Sequence, residues 1–107
     1  MRSRKRSKPQ RLSTKLQRIR EALGYSQTDL LIELGLAEEL PYQSISKNEL
    51  GTREPTAIEL LRYARLANVF VDVLLDDELD LPANIPSPTH HEGLPRRKPN
   101  RPSKLTS

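Results

Sequence analysis

An all-α domain of four or five short helices is predicted between two positively charged tails. Apolar residues recur at helical spacing between residues 12 and 81. Capping residues and glycines mark helix starts and stops at short intervals. No stretch alternates as a strand, and the β-branched pair Val69 and Val71 is too short to change that.

The elements follow in order. Ser13 is expected to cap a first helix with Leu16, Ile19 and Leu23 on one face, and Gly24 ends it because glycine enters the left-handed region at little cost. Ser26 followed by Asp29 resembles a capping box, with Asp in place of Glu or Gln. Leu30, Leu31 and Leu34 give this second helix its apolar side, and Gly35 stops it. Pro41 favours a new start, Ile45 anchors a third helix inward, and Gly51 terminates it. Thr56 and Glu59 form a full capping-box pattern after Pro55. They open a fourth helix with Ile58, Leu61 and Ala64 inward, beside Leu60 and Ala67. Val71–Leu75 reads as a short fifth helix, and Pro82 marks the domain end.

Charge divides the chain in the same way. Residues 1–11 carry +6, residues 12–81 carry −6, and residues 82–107 carry +4, which sums to the net +4. Residues 1–11 therefore read as a disordered basic arm. Residues 82–107 hold six of the nine prolines and few apolar side chains, so they are expected to form a flexible, basic, Pro-rich tail. About 70 residues remain for the domain, near the lower limit for an independent core.

Several functions find no support. The absence of cysteine excludes disulfides and thiolate metal sites. The acids Asp76, Asp77, Glu78 and Asp80 lack calcium-loop spacing, and His90 and His91 lie in the tail without partner ligands, so no metal and no cofactor is expected. No histidine falls within residues 12–81, and neither a phosphate-cradling glycine loop nor a nucleophile–base pair is present, so no catalytic residue is assigned. No apolar run approaches the roughly 18 residues of a membrane span, and no apolar segment follows the basic start as in a secretory signal. The expected location is the cytoplasm, in association with the nucleoid.

Five segments carry a resemblance: Leu23-Gly24-Tyr25-Ser26-Gln27, Leu34-Gly35-Leu36, Ile45-Ser46-Lys47-Asn48-Glu49, Gly51-Thr52-Arg53-Glu54-Pro55 and Leu60-Leu61-Arg62-Tyr63-Ala64. Their order and spacing, continued by Val71-Asp72-Val73-Leu74, resemble the lambda-repressor-like helix-turn-helix domain of the phage Cro and repressor type, often called the XRE family. The resemblance covers about residues 12–81. It implies a compact four- to five-helix bundle whose second helix crosses the DNA backbone and whose third enters the major groove. By position, Tyr42, Gln43, Ser44, Ser46 and Lys47 would face the bases, while Ser26, Gln27, Thr52 and Arg53 would contact phosphates. The segment 36–44 is about four residues longer than the family's tight turn. Leu31 stands where the family prefers alanine, and Asn48 where it prefers an apolar or aromatic residue. A larger Leu31 and a longer turn are expected to be coupled.

The residues leave alternatives open. Gln43 can pair with adenine and Lys47 with guanine, or both can form a plain polar helix face. Tyr42 can touch a base methyl or phosphate, or pack on the turn. Arg53 can clamp a phosphate or pair with Glu49 or Glu54, while Glu49 is expected to pair with a first-helix arginine such as Arg20. The basic arm can follow the minor groove or phosphates, or merely stay solvated.

The expected partners are double-stranded DNA and a second copy of the chain, with exposed parts of Tyr63, Leu66 and Phe70 as the dimer surface. The leading function is a sequence-specific transcriptional regulator. The alternatives are an antitoxin whose C-terminal tail engages a toxin through Ile85, Leu94 and Leu105, or a protein adaptor without DNA binding.

Overall fold

A computed structural model describes residues 8–96. Five helices follow in order: α1 (Leu12–Leu23), α2 (Gln27–Glu33), α3 (Gln43–Leu50), α4 (Ala57–Ala67) and α5 (Val71–Leu75). Two short strands, β1 (Leu79–Asp80) and β2 (Leu94–Pro95), complete the described chain. The architecture is thus mainly α-helical, and no helix among the described residues is long and apolar enough to cross a membrane.

One aliphatic core gathers Leu12, Leu16 and Ile19 of α1, Leu30 and Leu31 of α2, Ile45 of α3, Leu60 and Tyr63 of α4, and Val73 and Leu74 of α5. Each fully buried aliphatic side chain contributes roughly 1.5–3 kcal/mol relative to exposure. Leu31 is fully buried, and the long turn after α2 brings Leu36 and Leu40 onto the same core. Gly24 and Gly51 end α1 and α3 in the left-handed conformation, as expected from their positions.

The start of α1 departs from expectation. Ser13 lies inside the helix, and the N-cap is Arg11, whose own side chain makes no capping bond. The cap comes from far along the chain: the Asp77 carboxylate accepts from the Gln10 N–H at 2.9 Å and from the Arg11 N–H at 3.1 Å. In return, the buried Lys15 ammonium of α1 donates to the Val73 carbonyl at 2.7 Å and the Asp76 carbonyl at 2.9 Å, capping α5. Arg11 adds an ion pair to Asp80. Residues 8–11 are therefore tied to the domain rather than belonging to a free arm. The rest of the expected arm, residues 1–7, lies outside the described residues.

The inward face of α4 is also rotated from the one expected. Glu59, Leu60, Tyr63, Ala64 and Ala67 are buried, Leu61 is half-buried, and Ile58 is 51% exposed. The full Thr56–Glu59 capping box fixes this phase, because Glu59 must reach back to the Thr56 N–H. Tyr63 is fully buried and so cannot supply a dimer surface, while Phe70 stacks on His90 with centroids 3.8 Å apart.

The largest difference lies after Pro82. Residues 82–96 form a strap over the α4–α5 junction rather than a free tail. The Ser87 N–H donates to the Ala67 carbonyl, the His91 N–H to Asn68, and the Phe70 N–H to His91. Val69 and His91 form a parallel bridge, and β2 pairs antiparallel with β1 through Leu79↔Pro95 and Asp80↔Leu94. Composition undervalued this segment for two reasons. Main-chain bonds need no apolar side chain, and proline lowers the entropy lost on ordering. Residues 97–107 of the expected tail lie outside the described residues.

Candidate nucleic-acid interface

Helix α3 turns one row outward and another inward. Tyr42, Gln43, Lys47 and Leu50 are exposed, with Ser46 half-buried beside them. Tyr42 is 68% and Leu50 is 73% exposed, large values for such side chains. Four of the five expected base-facing residues, Tyr42, Gln43, Ser46 and Lys47, therefore share this row. Ser44 does not: it is only 2% exposed, because it lies one turn before the inward Asn48 and next to Ile45.

The inward row is held by two polar anchors. Glu49 accepts from Arg20 Nε of α1 at 2.7 Å and from Arg20 Nη2 at 3.1 Å, forming the pairing expected from sequence. The hydrogen bond to Glu49, opposed by burial, raises the Arg20 pKa. Asn48 and Arg53 meet at Glu59, the second anchor. Glu59 Oε1 accepts from Asn48 Nδ2 at 3.1 Å and from Arg53 Nη1 at 2.7 Å, and Oε2 accepts from Arg53 Nη2 at 2.9 Å. Burial pushes the Glu59 carboxyl up. Hydrogen bonds from Arg53, the Thr56 N–H and Asn48 outweigh it and hold the group below the ordinary glutamate value. Between the anchors lies Tyr63, whose phenol is raised by burial and by Glu49. Its hydroxyl is buried beside Asn48.

These anchors change the expected phosphate set. Arg53 is engaged with Glu59 and Asn48, so it is not the free clamp that sequence suggested, and neither Glu49 nor Glu54 is its partner. Gln27 is half-buried and donates to Glu49 Oε1 at 3.2 Å. The Ser26 hydroxyl accepts from the Asp29 N–H and so caps its own helix. Thr52 is exposed after α3, with its N–H bonded to the Lys47 carbonyl. Of the four residues, Thr52 and Ser26 remain at the surface, and Gln27 and Arg53 turn inward.

No family model, curated protein or solved structure matches the chain.

Lys8 and Pro9 line a cleft of about 380 Å³ together with Gly51, Thr52 and Arg53. The chain thus enters the domain beside the C-terminal end of α3. Sequence reasoning missed Asn48, Glu59 and Tyr63 as a group. The signal was present in part: Asn48 is a polar residue three positions after the inward Ile45, and Glu59 falls within a recognisable capping box that concealed its second role.

Proposed function

We propose that the domain is a helix-turn-helix module of the Cro and repressor type, a transcriptional regulator that reads double-stranded DNA with the outer face of α3. One observation carries the reading. In a region with net charge −6, the exposed row of α3 contains no acid. Its only glutamate, Glu49, is turned in against Arg20 with its side chain 5% exposed. Acidic groups on that row would repel phosphate, and their absence leaves Gln43, Ser46 and Lys47 available for base edges. Gln43 suits adenine through its amide, and Lys47 suits the guanine acceptors. The basic residues of the sequence before Lys8 would add sequence-independent, salt-sensitive attraction to phosphate.

In this reading the module works as a homodimer on two half-sites about 34 Å apart. The test is selection of bound sites from random duplex DNA, followed by gel shifts across salt concentrations. A selected motif whose preference is weakened in Gln43→Ala or Lys47→Ala supports the regulator. Binding with no preferred sequence, or a preference untouched by both variants, overturns it.

The second reading, a protein-interaction module, is favoured by the exposed Tyr42 and Leu50 at the two ends of α3. Its antitoxin form has one anchor fewer than the sequence implied, since Ile85 packs on the domain's own core, while Leu94 stays exposed on the strap. Failure of the DNA selection combined with capture of a protein through Tyr42 and Leu50 would favour it.

A further inference from the structure

We infer that Arg53 and Glu59 are positioning residues for base reading, acting through Asn48 to fix the rotation of α3 about its own axis. The inference rests on the DNA-reading proposal and gives Arg53 a different task from the phosphate clamp suggested by its place in the sequence.

Asn48 and Glu49 project about 100° apart around α3, because an α-helix has 3.6 residues per turn. Asn48 is drawn toward α4 by Glu59, and Glu49 toward α1 by Arg20. Rotation of α3 in one sense stretches the first anchor, and rotation in the other stretches the second. Ile45 alone could not resist this, since an aliphatic contact has no preferred direction.

The Asn48 anchor is a closed ring of three side chains. Asn48 Nδ2 donates to Glu59, Arg53 Nη1 donates to Asn48 Oδ1 at 2.9 Å, and Arg53 spans both Glu59 oxygens. Only one orientation of the Asn48 amide satisfies both neighbours; the reversed amide would set its NH₂ against the guanidinium. Glu59 is itself fixed by the Thr56 N–H at the start of α4. The ring therefore transfers the rigid phase of α4 to α3, and with it the direction of Gln43 and Lys47. Lysine cannot replace Arg53, because a single ammonium lacks the planar fork that reaches two carboxylate oxygens and an amide together.

The experiment measures association of Arg53→Gln and Arg53→Lys with a selected site and with single-base-pair variants of that site, over a salt series. The expected result is about a tenfold loss of discrimination per base pair in both variants, with an unchanged slope of log association constant against log salt. A phosphate clamp predicts the opposite for Arg53→Gln: a slope shallower by about 0.9 with discrimination intact. That outcome, full rescue by Arg53→Lys, or no change in either quantity would overturn the inference. Hydrogen exchange of the free protein provides a second measurement. Amides of α3 should exchange at least about tenfold faster in Arg53→Gln, relative to those of α1. Unchanged α3 exchange would overturn the inference on its own. A wild-type chain with no sequence preference would instead sink the DNA reading and leave the exchange result to decide the anchor.

Discussion

Lys15 and Asp77 cap each other's helices. The ammonium of Lys15 closes the carbonyl end of α5, and the carboxylate of Asp77, just beyond that end, closes the amide end of α1. Both caps oppose the helix macrodipole with the right sign. They join residues 58 to 67 positions apart, which ties the beginning and the end of the helical core.

Removing one half of this exchange should loosen both helices. We expect Asp77→Ala to cost about 1 kcal/mol, read as a lower urea midpoint with an unchanged slope. Backbone hydrogen bonds from Gln10, opposed by burial and aided by Arg11, hold the Asp77 pKa below the ordinary aspartate value. A carboxylate depressed on folding contributes stability that is complete above its unfolded pKa and is lost as pH falls through the folded one. The difference between wild type and Asp77→Ala should therefore be full at neutral pH and shrink in strong acid. A gap independent of pH would argue against the cap.

The ring around Glu59 predicts a larger loss. Glu59→Gln leaves the Arg53 guanidinium without its buried carboxylate, and we expect a cost of about 2–3 kcal/mol by urea or thermal unfolding. The Glu59 pKa is also lowered, so this contribution too should be complete at neutral pH and fade in acid. A variant as stable as wild type would show the ring to be energetically idle.

Changes on the outer row of α3 should separate stability from recognition. Gln43→Ala and Lys47→Ala remove exposed side chains, so unfolding midpoints should stay within about 0.5 kcal/mol of wild type. On the proposed DNA target each should reduce discrimination by about 1–3 kcal/mol at one base pair, measured by competition gel shift. Large destabilisation by either variant would mean that the row packs against something.

Gly93 tests the strap. Its φ of +94° disfavours any other residue, and an added Cβ would lie 2.9 Å from Val73 Cγ2 and 3.3 Å from the Asp80 carbonyl. We expect Gly93→Ala to cost about 1–3 kcal/mol and to raise exchange at the His91 and Arg96 amides. Unchanged protection there would mean that the strap tolerates displacement.

Local signals in the sequence revealed most of the helical frame. Gly24, Gly51 and the Thr56–Glu59 box placed helix ends where they occur, because each acts within one turn. What escaped depends on contacts made beyond a single helical turn. Ser13 looks like a cap until Asp77 arrives from beyond α5, and Arg53 looks like a surface clamp until Glu59 is folded against it. Ile58 falls in line with Leu61 and Ala64 at helical spacing, yet its neighbour Glu59 of the capping box takes the inner position. The strap was hidden because its attachment is mainly backbone, which leaves no mark on composition.

The inward turn of Glu49 also bears on approach kinetics. On the proposed DNA reading, a polyanion meets excess carboxylate over residues 12–81 but no acid on the outer row of α3. The charge asymmetry would then exert a torque during that encounter. It would pre-align the domain before contact and shorten the search for a productive pose, an effect that would fade as added electrolyte contracts the Debye length.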